Sequence, residues 1–280
     1  MLPTIQLIAI DMDGTLLNNE NEVTKETLSA IREAQEKGIT VTICTGRFPE
    51  NVSIMFEDIG LVLPVISLNG CVIEMDGKRV HAQGMPHDTV AILHQQLEKA
   101  KASYYMFGDH MITTRRLGKP HHAEVKYSAR LQRERGVTFQ IGEKAASKAA
   151  DQLVYKYYVY EDDDSCSLDA AFDAVKNVPG VHFTRSSNNN FEIMPQGIDK
   201  EYGIAALAGM LEISLAHTMA IGDHENDVSM IQAAGFGVAM HNAVDEVKQV
   251  ADAVTLSNDQ DGVAAAIRKY ALRQQSASNE

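Results

Sequence analysis

Ile5-Gln6-Leu7-Ile8-Ala9-Ile10-Asp11-Met12-Asp13-Gly14-Thr15 is an apolar run with one polar interruption, ended abruptly by two carboxylates in alternate positions and a glycine. A short, nearly continuous apolar run fits a parallel strand covered on both faces, where no alternation toward solvent is required. Thr24 then reads as a helix cap, with Glu26 in the first turn, Leu28, Ile31 and Ala34 on one face, and Gly38 as the stop. A second apolar strand, Ile39 to Cys44, follows at once, then a helix near Pro49 to Ile59 and a strand at Val65 to Leu68. Strand, helix, strand repeated in this way predicts right-handed crossovers and a parallel sheet.

The rhythm changes at Asp76-Gly77, a two-residue hairpin signal between Val72-Ile73 and Val80. From about Met85 to Asn190 the chain reads as α+β, with helices near Asp88 to Ala102 and Ser167 to Asn177. Its tyrosine-rich strand, Val154 to Tyr160, is expected to bury one face. After Phe191-Glu192-Ile193-Met194-Pro195 the first rhythm returns: a helix from Lys200, strand Thr218 to Ile221, helix from Asn226, strand Gly237 to Met240, helix from Asp245, and a short strand at Ala253 to Thr255. The fold expected is α/β: a Rossmann-like, mostly parallel core from residues 1–84 and 191–280, carrying an inserted α+β cap domain over 85–190.

The chain has 280 residues and a formal charge of -13, which argues against a nucleic-acid partner, because that binding rests on clustered lysine and arginine. An anionic small molecule then requires locally supplied positive charge, which a bound divalent cation provides. No apolar run approaches the roughly 18 to 20 residues that span a bilayer, and no secretory signal is evident, so no membrane association is expected and a cytoplasmic setting is. Cys44, Cys71 and Cys166 are odd in number and far apart, which suits reduced thiols, and Cys44 inside an apolar run reads as core. The tail Arg273 to Glu280 is expected to fray.

In open parallel sheets the binding crevice lies beyond the carboxyl ends of the strands. Four polar segments stand at such ends: Asp11 to Thr15, Thr45-Gly46-Arg47, Asn69-Gly70, and Gly222-Asp223-His224-Glu225-Asn226-Asp227. Alternate carboxylates followed by glycine aim one side chain at a ligand and place a second to exchange protons, while adjacent amides can bind anionic oxygens. The same pattern opens calcium loops, but the further acidic ligand that an EF-hand needs two residues after Asp13 is absent, Thr15 standing there.

Asp11-Met12-Asp13-Gly14-Thr15-Leu16-Leu17 resembles the first motif of the haloacid dehalogenase superfamily of phosphohydrolases. Thr45 fits the second motif, Lys200 the third, and Gly222-Asp223 with Asn226-Asp227 the fourth. The long insertion between Thr45 and Lys200 is similar to that of the Cof-type subgroup with a large α/β cap. Asn69-Gly70, Gly237 to Met240 and Ser257-Asn258-Asp259-Gln260-Asp261-Gly262 also resemble that subgroup. Glu201 after Lys200, His224 within the fourth motif and His241 before Asn242-Ala243 depart from it, which puts the loop geometry beside the pocket in question.

The resemblance implies a Mg2+-dependent phosphatase acting on small phosphorylated metabolites, sugar phosphates first and phosphorylated cofactor precursors of the pyridoxal or flavin pathways next. Asp11 is then the nucleophile and Asp13 the acid and base. Thr45, Lys200, Gly46 and the Asp13 amide cradle the phosphoryl group; the Asp11 carboxylate, the Asp13 carbonyl and Asp223 hold the metal. Asn226 and Asp227 orient these groups. Arg47 is a candidate for the remote part of the substrate or for a structural ion pair, and Asn69-Gly70 for a ligand contact or a plain turn. His121-His122, His224 and His241 read first as surface histidines. A sugar phosphomutase shares the aspartyl-phosphate step, and a phosphoryl-binding signalling module shares the residue types.

Overall fold

The computed structural model describes residues 4–115, 123–162 and 165–272; the tail expected to fray and His121-His122 lie outside these residues. In chain order the first elements are β1 (Leu7–Ile10), α1 (Lys25–Glu36), β2 (Thr40–Cys44), α2 (Pro49–Ile59), β3 (Val65–Ser67), β4 (Val72–Met75) and β5 (Lys78–Ala82). Then come α3 (His87–Ala100), β6 (Ser103–Gly108), β7 (Met111–Thr114), α4 (Ala123–Arg135), β8 (Thr138–Ile141), α5 (Glu143–Ala149), β9 (Val154–Tyr160), α6 (Leu168–Val175), β10 (Val181–Thr184) and β11 (Asn190–Pro195). The chain closes with α7 (Lys200–Met210), β12 (Thr218–Gly222), α8 (Val228–Ala233), β13 (Phe236–Ala239), α9 (Asp245–Val250), β14 (Ala253–Val254) and α10 (Gly262–Ala266). No helix among the described residues is long and apolar enough to cross a membrane.

Two compact units emerge, one from residues 1–46, 62–80 and 199–280, the other from 47–61 and 81–198. In the first, eight strands run in the order β14-β13-β12-β1-β2-β3-β4-β5. β1 pairs in parallel with both β12 and β2, and the parallel run continues to β14 on one side and β3 on the other. The chain fills the sheet from β1 out to one edge and then, from β12 beside β1, out to the other, so β1 and β12 flank the topological switch point where α/β crevices form. All four β1 residues are buried, as its continuous apolar run requires.

Local signals ended these elements as expected. The Thr24 hydroxyl accepts the Thr27 amide at the start of α1, and the Asp199 carboxylate accepts the Tyr202 amide at the start of α7. Asp76 and Gly77 turn between β4 and β5 with φ of 50° and 69°, the left-handed pair that a two-residue hairpin needs.

The second unit is a six-stranded sheet in the order β10-β11-β9-β6-β7-β8, antiparallel except for β7 and β8. Leu93 and Leu97 of α3, Ala146 of α5 and Val175 of α6 join Tyr104, Tyr157, Val159 and Phe191 of the sheet in one apolar cluster. The tyrosine-rich strand does not expose its other face: Lys156 and Tyr160 are buried as well as Tyr157. β9 is central, between β11 and β6, so both faces are covered, and the polar ends of its side chains disguised this in sequence.

Three segments, 47–61, 81–84 and 191–198, group differently from the division 1–84, 85–190 and 191–280. β11 pairs with β9 and β10 and thus belongs to the second sheet; a continuous apolar run cannot declare which sheet it joins. Helix α2 connects two strands of the first sheet, yet it packs with the second unit. Arg130 donates to both oxygens of Asp58 at 2.6 and 2.7 Å, Arg135 pairs with Glu57, His110 Nδ1 lies 2.8 Å from Glu50, and Phe48 meets Phe107 at 5.8 Å between ring centroids.

Candidate active site

At the end of β1 the backbone bends sharply. The Leu16 and Leu17 amides reach back to the Asp11 and Met12 carbonyls, and within that bend Asp13 and Gly14 adopt φ, ψ of −81°, 119° and 80°, −2°. Those angles make Met12 to Thr15 a type II turn, which needs glycine at its third position. Space enforces the same choice, since a Cβ on Gly14 would lie 2.4 Å from Asp223 Oδ2. The bend leaves Asp11 buried and Asp13, two residues on, exposed.

Asp223 follows β12, the neighbour of β1, and its carboxylate accepts the Thr15 hydroxyl at 2.7 Å. Asp227 Oδ2 accepts the Asp223 and His224 amides at 2.9 and 3.0 Å, closing the turn around itself. Gly222 permits this: a Cβ there would lie 2.5 Å from the Asp227 carboxyl carbon. His224 is partly buried, and its carbonyl accepts the Asp227 amide at 2.9 Å, which tightens this turn.

Lys200 stands in the first turn of α7, where the helix dipole disfavours a cation. It is held there by carboxylates, donating to Asp11 Oδ1 at 2.5 Å and to Asp227 Oδ1 at 2.6 Å with none of its side chain exposed. Close backbone approach positions the helix. A Cβ on Gly70 would sit 2.1 Å from the Asp199 carbonyl oxygen, and one on Gly203 2.4 Å from Ile66 Cγ2. Glu201, the departure after Lys200, is exposed.

Thr45, at the end of β2, is buried, and its carbonyl accepts the Asn69 amide at 2.9 Å. Asn69, with a left-handed φ of 52°, accepts the Asn226 side-chain amide at 3.3 Å and so links the β3 end to the Asp223 turn. Gly46 closes the first segment of this unit, and Arg47, partly buried, opens the stretch 47–61 that groups with the second. His241 is exposed. Cys44 is buried beside Lys200, and burial pushes its thiol well up, so it stays protonated as core.

Oxygens of Asp11, Asp223 and Asp227 come within 4.8 Å of one another. Three carboxylates around a single ammonium leave the cluster strongly negative. Burial, and then the nearby Asp227, raise the Asp11 carboxyl well above the usual range and the Asp223 carboxyl to about 7. Burial works against the Lys200 charge, but Asp11 and Asp227 hold it firmly protonated. A set of hard oxygen donors with a deficit of positive charge fits a small divalent cation. Asp227 already spends its oxygens on Lys200 and two amides, which suits orientation of the cluster better than ligation.

Thr15, Asn242 and Asn258 belong to this framework yet had no role in the sequence reading. Their side chains bond Asp223, the Gly14 carbonyl and the Leu17 carbonyl. The available signal was position, since Thr15 and Asn258 lie within stretches that carried the family resemblance and Asn242 lies two residues beyond one.

Comparison with known proteins identifies the family and the fold. Phosphatase YwpJ of Bacillus subtilis is 33% identical over 279 residues, spanning 93% of this chain and 98% of its own. The 5-amino-6-(5-phospho-D-ribitylamino)uracil phosphatase YcsE of the same organism is 33% identical over 269 residues, 96% of each chain. A solved haloacid dehalogenase-like hydrolase from B. subtilis superimposes with a TM-score of 0.82 at 32% identity, covering 95% of this chain and 99% of that one. The family model for haloacid dehalogenase-like hydrolases matches residues 8–267, from β1 to the end of the last core helix, and the chain belongs to that family of enzymes.

Proposed function

We propose that this protein is a Mg2+-dependent phosphatase of small phosphorylated metabolites, sugar phosphates foremost, working through a phosphoaspartyl intermediate on Asp11. The observation that carries this reading is the buried Asp11 carboxylate at the switch-point strand, bonded to Lys200 at 2.5 Å and within 4.8 Å of Asp223. Burying a carboxylate among like charges is costly, and a bound cation there would offset that cost. Asp11, Asp223 and the Asp13 carbonyl would hold the ion, which supplies positive charge to the phosphoryl oxygens.

Asp11 attacks phosphorus, the bond from phosphorus to the ester oxygen breaks, and that oxygen leaves with the proton of Asp13. Lys200, the Thr45 hydroxyl and nearby amides stabilise the charge on the transferring group. Asp13 then takes a proton from water as that water attacks phosphorus; the bond to Asp11 breaks, freeing inorganic phosphate and restoring the carboxylate. Arg47 and Asn69-Gly70 would be further substrate contacts.

A second substrate reading has its own support. YcsE, similar over 96% of this chain, is named for 5-amino-6-(5-phospho-D-ribitylamino)uracil, a phosphorylated polyol attached to a pyrimidine. A panel of phosphometabolites containing both classes, assayed for free phosphate and for isomerised sugar phosphate, tests the proposal. Magnesium-dependent phosphate release that is abolished by chelator is expected. Isomerisation without release would make the protein a mutase, and turnover in excess chelator would end the mechanism.

A further inference from the structure

His241-Asn242-Ala243, just beyond the resembling stretch Gly237 to Met240, and Ser257 to Gly262, which carries the resemblance itself, have no part in the mechanism above. The ends of β13 and β14 bring them to the bend after β1. Asn242 Nδ2 donates to the Gly14 carbonyl at 2.8 Å, Asn242 Oδ1 accepts the Asn258 amide at 3.1 Å, and Asn258 Nδ2 donates to the Leu17 carbonyl at 3.0 Å. The two asparagines thus hold carbonyls at both ends of the segment Gly14 to Leu17. Its other flank is held by the Thr15 hydroxyl on Asp223 at 2.7 Å.

Asp13 sits on this bend, exposed, with Gly14 at φ 80° immediately after it. Glycine is the residue with the widest backbone freedom, so the joint that carries Asp13 is intrinsically soft. A proton donor must be held within a few tenths of an ångström of the leaving oxygen, and softness there costs rate rather than stability. The Gly14 carbonyl is the nearest backbone handle on the C-terminal side of Asp13, and Asn242 grips it.

We infer that Asn242, braced by Asn258, is a positioning residue that aims Asp13 as the proton donor to the departing oxygen. The inference rests on the acid role given to Asp13 above. It sets a specific requirement: the effect must depend on how much the leaving group needs a proton. A nitrophenolate leaves without one, whereas the alkoxide of a sugar or polyol phosphate does not.

The test compares kcat/KM of the magnesium-loaded enzyme on p-nitrophenyl phosphate with kcat/KM on the best alkyl phosphate of the panel, a quantity that ends at departure of the leaving oxygen and so excludes the later role of Asp13 as base, for Asn242→Ala, Asn242→Asp and Asp13→Asn. Loss of the Asn242 hydrogen bond is expected to lower kcat/KM on the alkyl ester roughly tenfold while kcat/KM on the nitrophenyl ester stays within about threefold. Melting temperatures should stay within about 3 °C of wild type, since Asn242 is exposed. Asp13→Asn should show the same selectivity more strongly. Equal losses on both esters, or no loss on either, with the selectivity of Asp13→Asn intact, overturn the positioning role alone. A wild-type protein that cleaves neither ester overturns the phosphatase reading beneath it.

Discussion

Lys200 in the first unit and Lys156 in the second are both buried against carboxylates, with 0% and 2% of their side chains exposed, and the two clusters differ in how they balance. Lys156 pairs with Glu192 at 3.1 Å; that carboxylate also accepts the Ser186 hydroxyl at 3.1 Å, and the ammonium lies over the Phe107 ring. As a pair, Lys156 and Glu192 cancel in charge. Lys200 faces Asp11 and Asp227, with Asp223 close behind, and stays outnumbered. A balanced buried pair serves structure at a desolvation cost, whereas an unbalanced one marks a place where a further cation and a substrate belong.

The largest expected effect breaks the comparison on its functional side. Asp11→Asn removes the proposed nucleophile and should lower turnover by at least about a thousandfold, measured as phosphate release in excess magnesium. Unimpaired hydrolysis would remove Asp11 from the mechanism. The equivalent change in the second cluster, Glu192→Gln, should leave p-nitrophenyl phosphate turnover within the range of ordinary folded variants.

The next effect is on stability and separates balanced from unbalanced burial. Lys156→Met strands a buried glutamate and should cost about 3 to 5 kcal/mol in urea unfolding, while Lys156→Met combined with Glu192→Met should recover most of that loss. Lys200→Met strands two carboxylates. Its loss should shrink when the pH is lowered, because protonation neutralises them, and Asp11→Leu added to it should leave Asp227 still unpaired and recover less. Equal recovery in both double variants would contradict the distinction.

The smallest effect sharpens the comparison through pH. Burial, reinforced by Asp227, raises Asp223 to about 7 from an ordinary value of 3.8, so between those values the folded protein holds a proton that the unfolded chain releases. That contribution to stability is present at low pH and is lost as pH rises toward and through 7. Asp11 is shifted in the same direction by the same burial. A divalent cation competes with those protons, so the magnesium-induced rise in melting temperature should grow from pH 5.5 to pH 8. Asp223→Asn should flatten that growth, and a magnesium effect independent of pH would mean that these carboxylates do not hold the ion.

Much of this was legible before any coordinates. Leu7 to Ile10 is continuously apolar and forms a strand buried on both faces; Thr24, Gly38 and Asp76-Gly77 cap, stop and turn the chain by preferences that act within a few residues. The chemistry-bearing residues stand at strand ends because only there does a buried strand meet a polar loop. The placements of α2 and β11 were not legible. The apolar faces of Val52, Ile54 and Phe56, or of Phe191 and Ile193, state that they are buried and say nothing of where. The pairing of Asp58 with Arg130, far apart in sequence, decides it for α2.

By itself the sequence determined the order and kind of the elements and the set of groups able to do phosphoryl chemistry, because strand, helix and turn preferences are properties of neighbouring residues. Tertiary structure alone decided that Lys200 would be shared between Asp11 and Asp227, that Thr15 would bond Asp223, and that Asn242 would hold Gly14. These bonds join residues up to 228 positions apart. Charge balance and hydrogen-bond geometry depend on separations of a few ångströms in space, and distance along the chain carries no information about those separations.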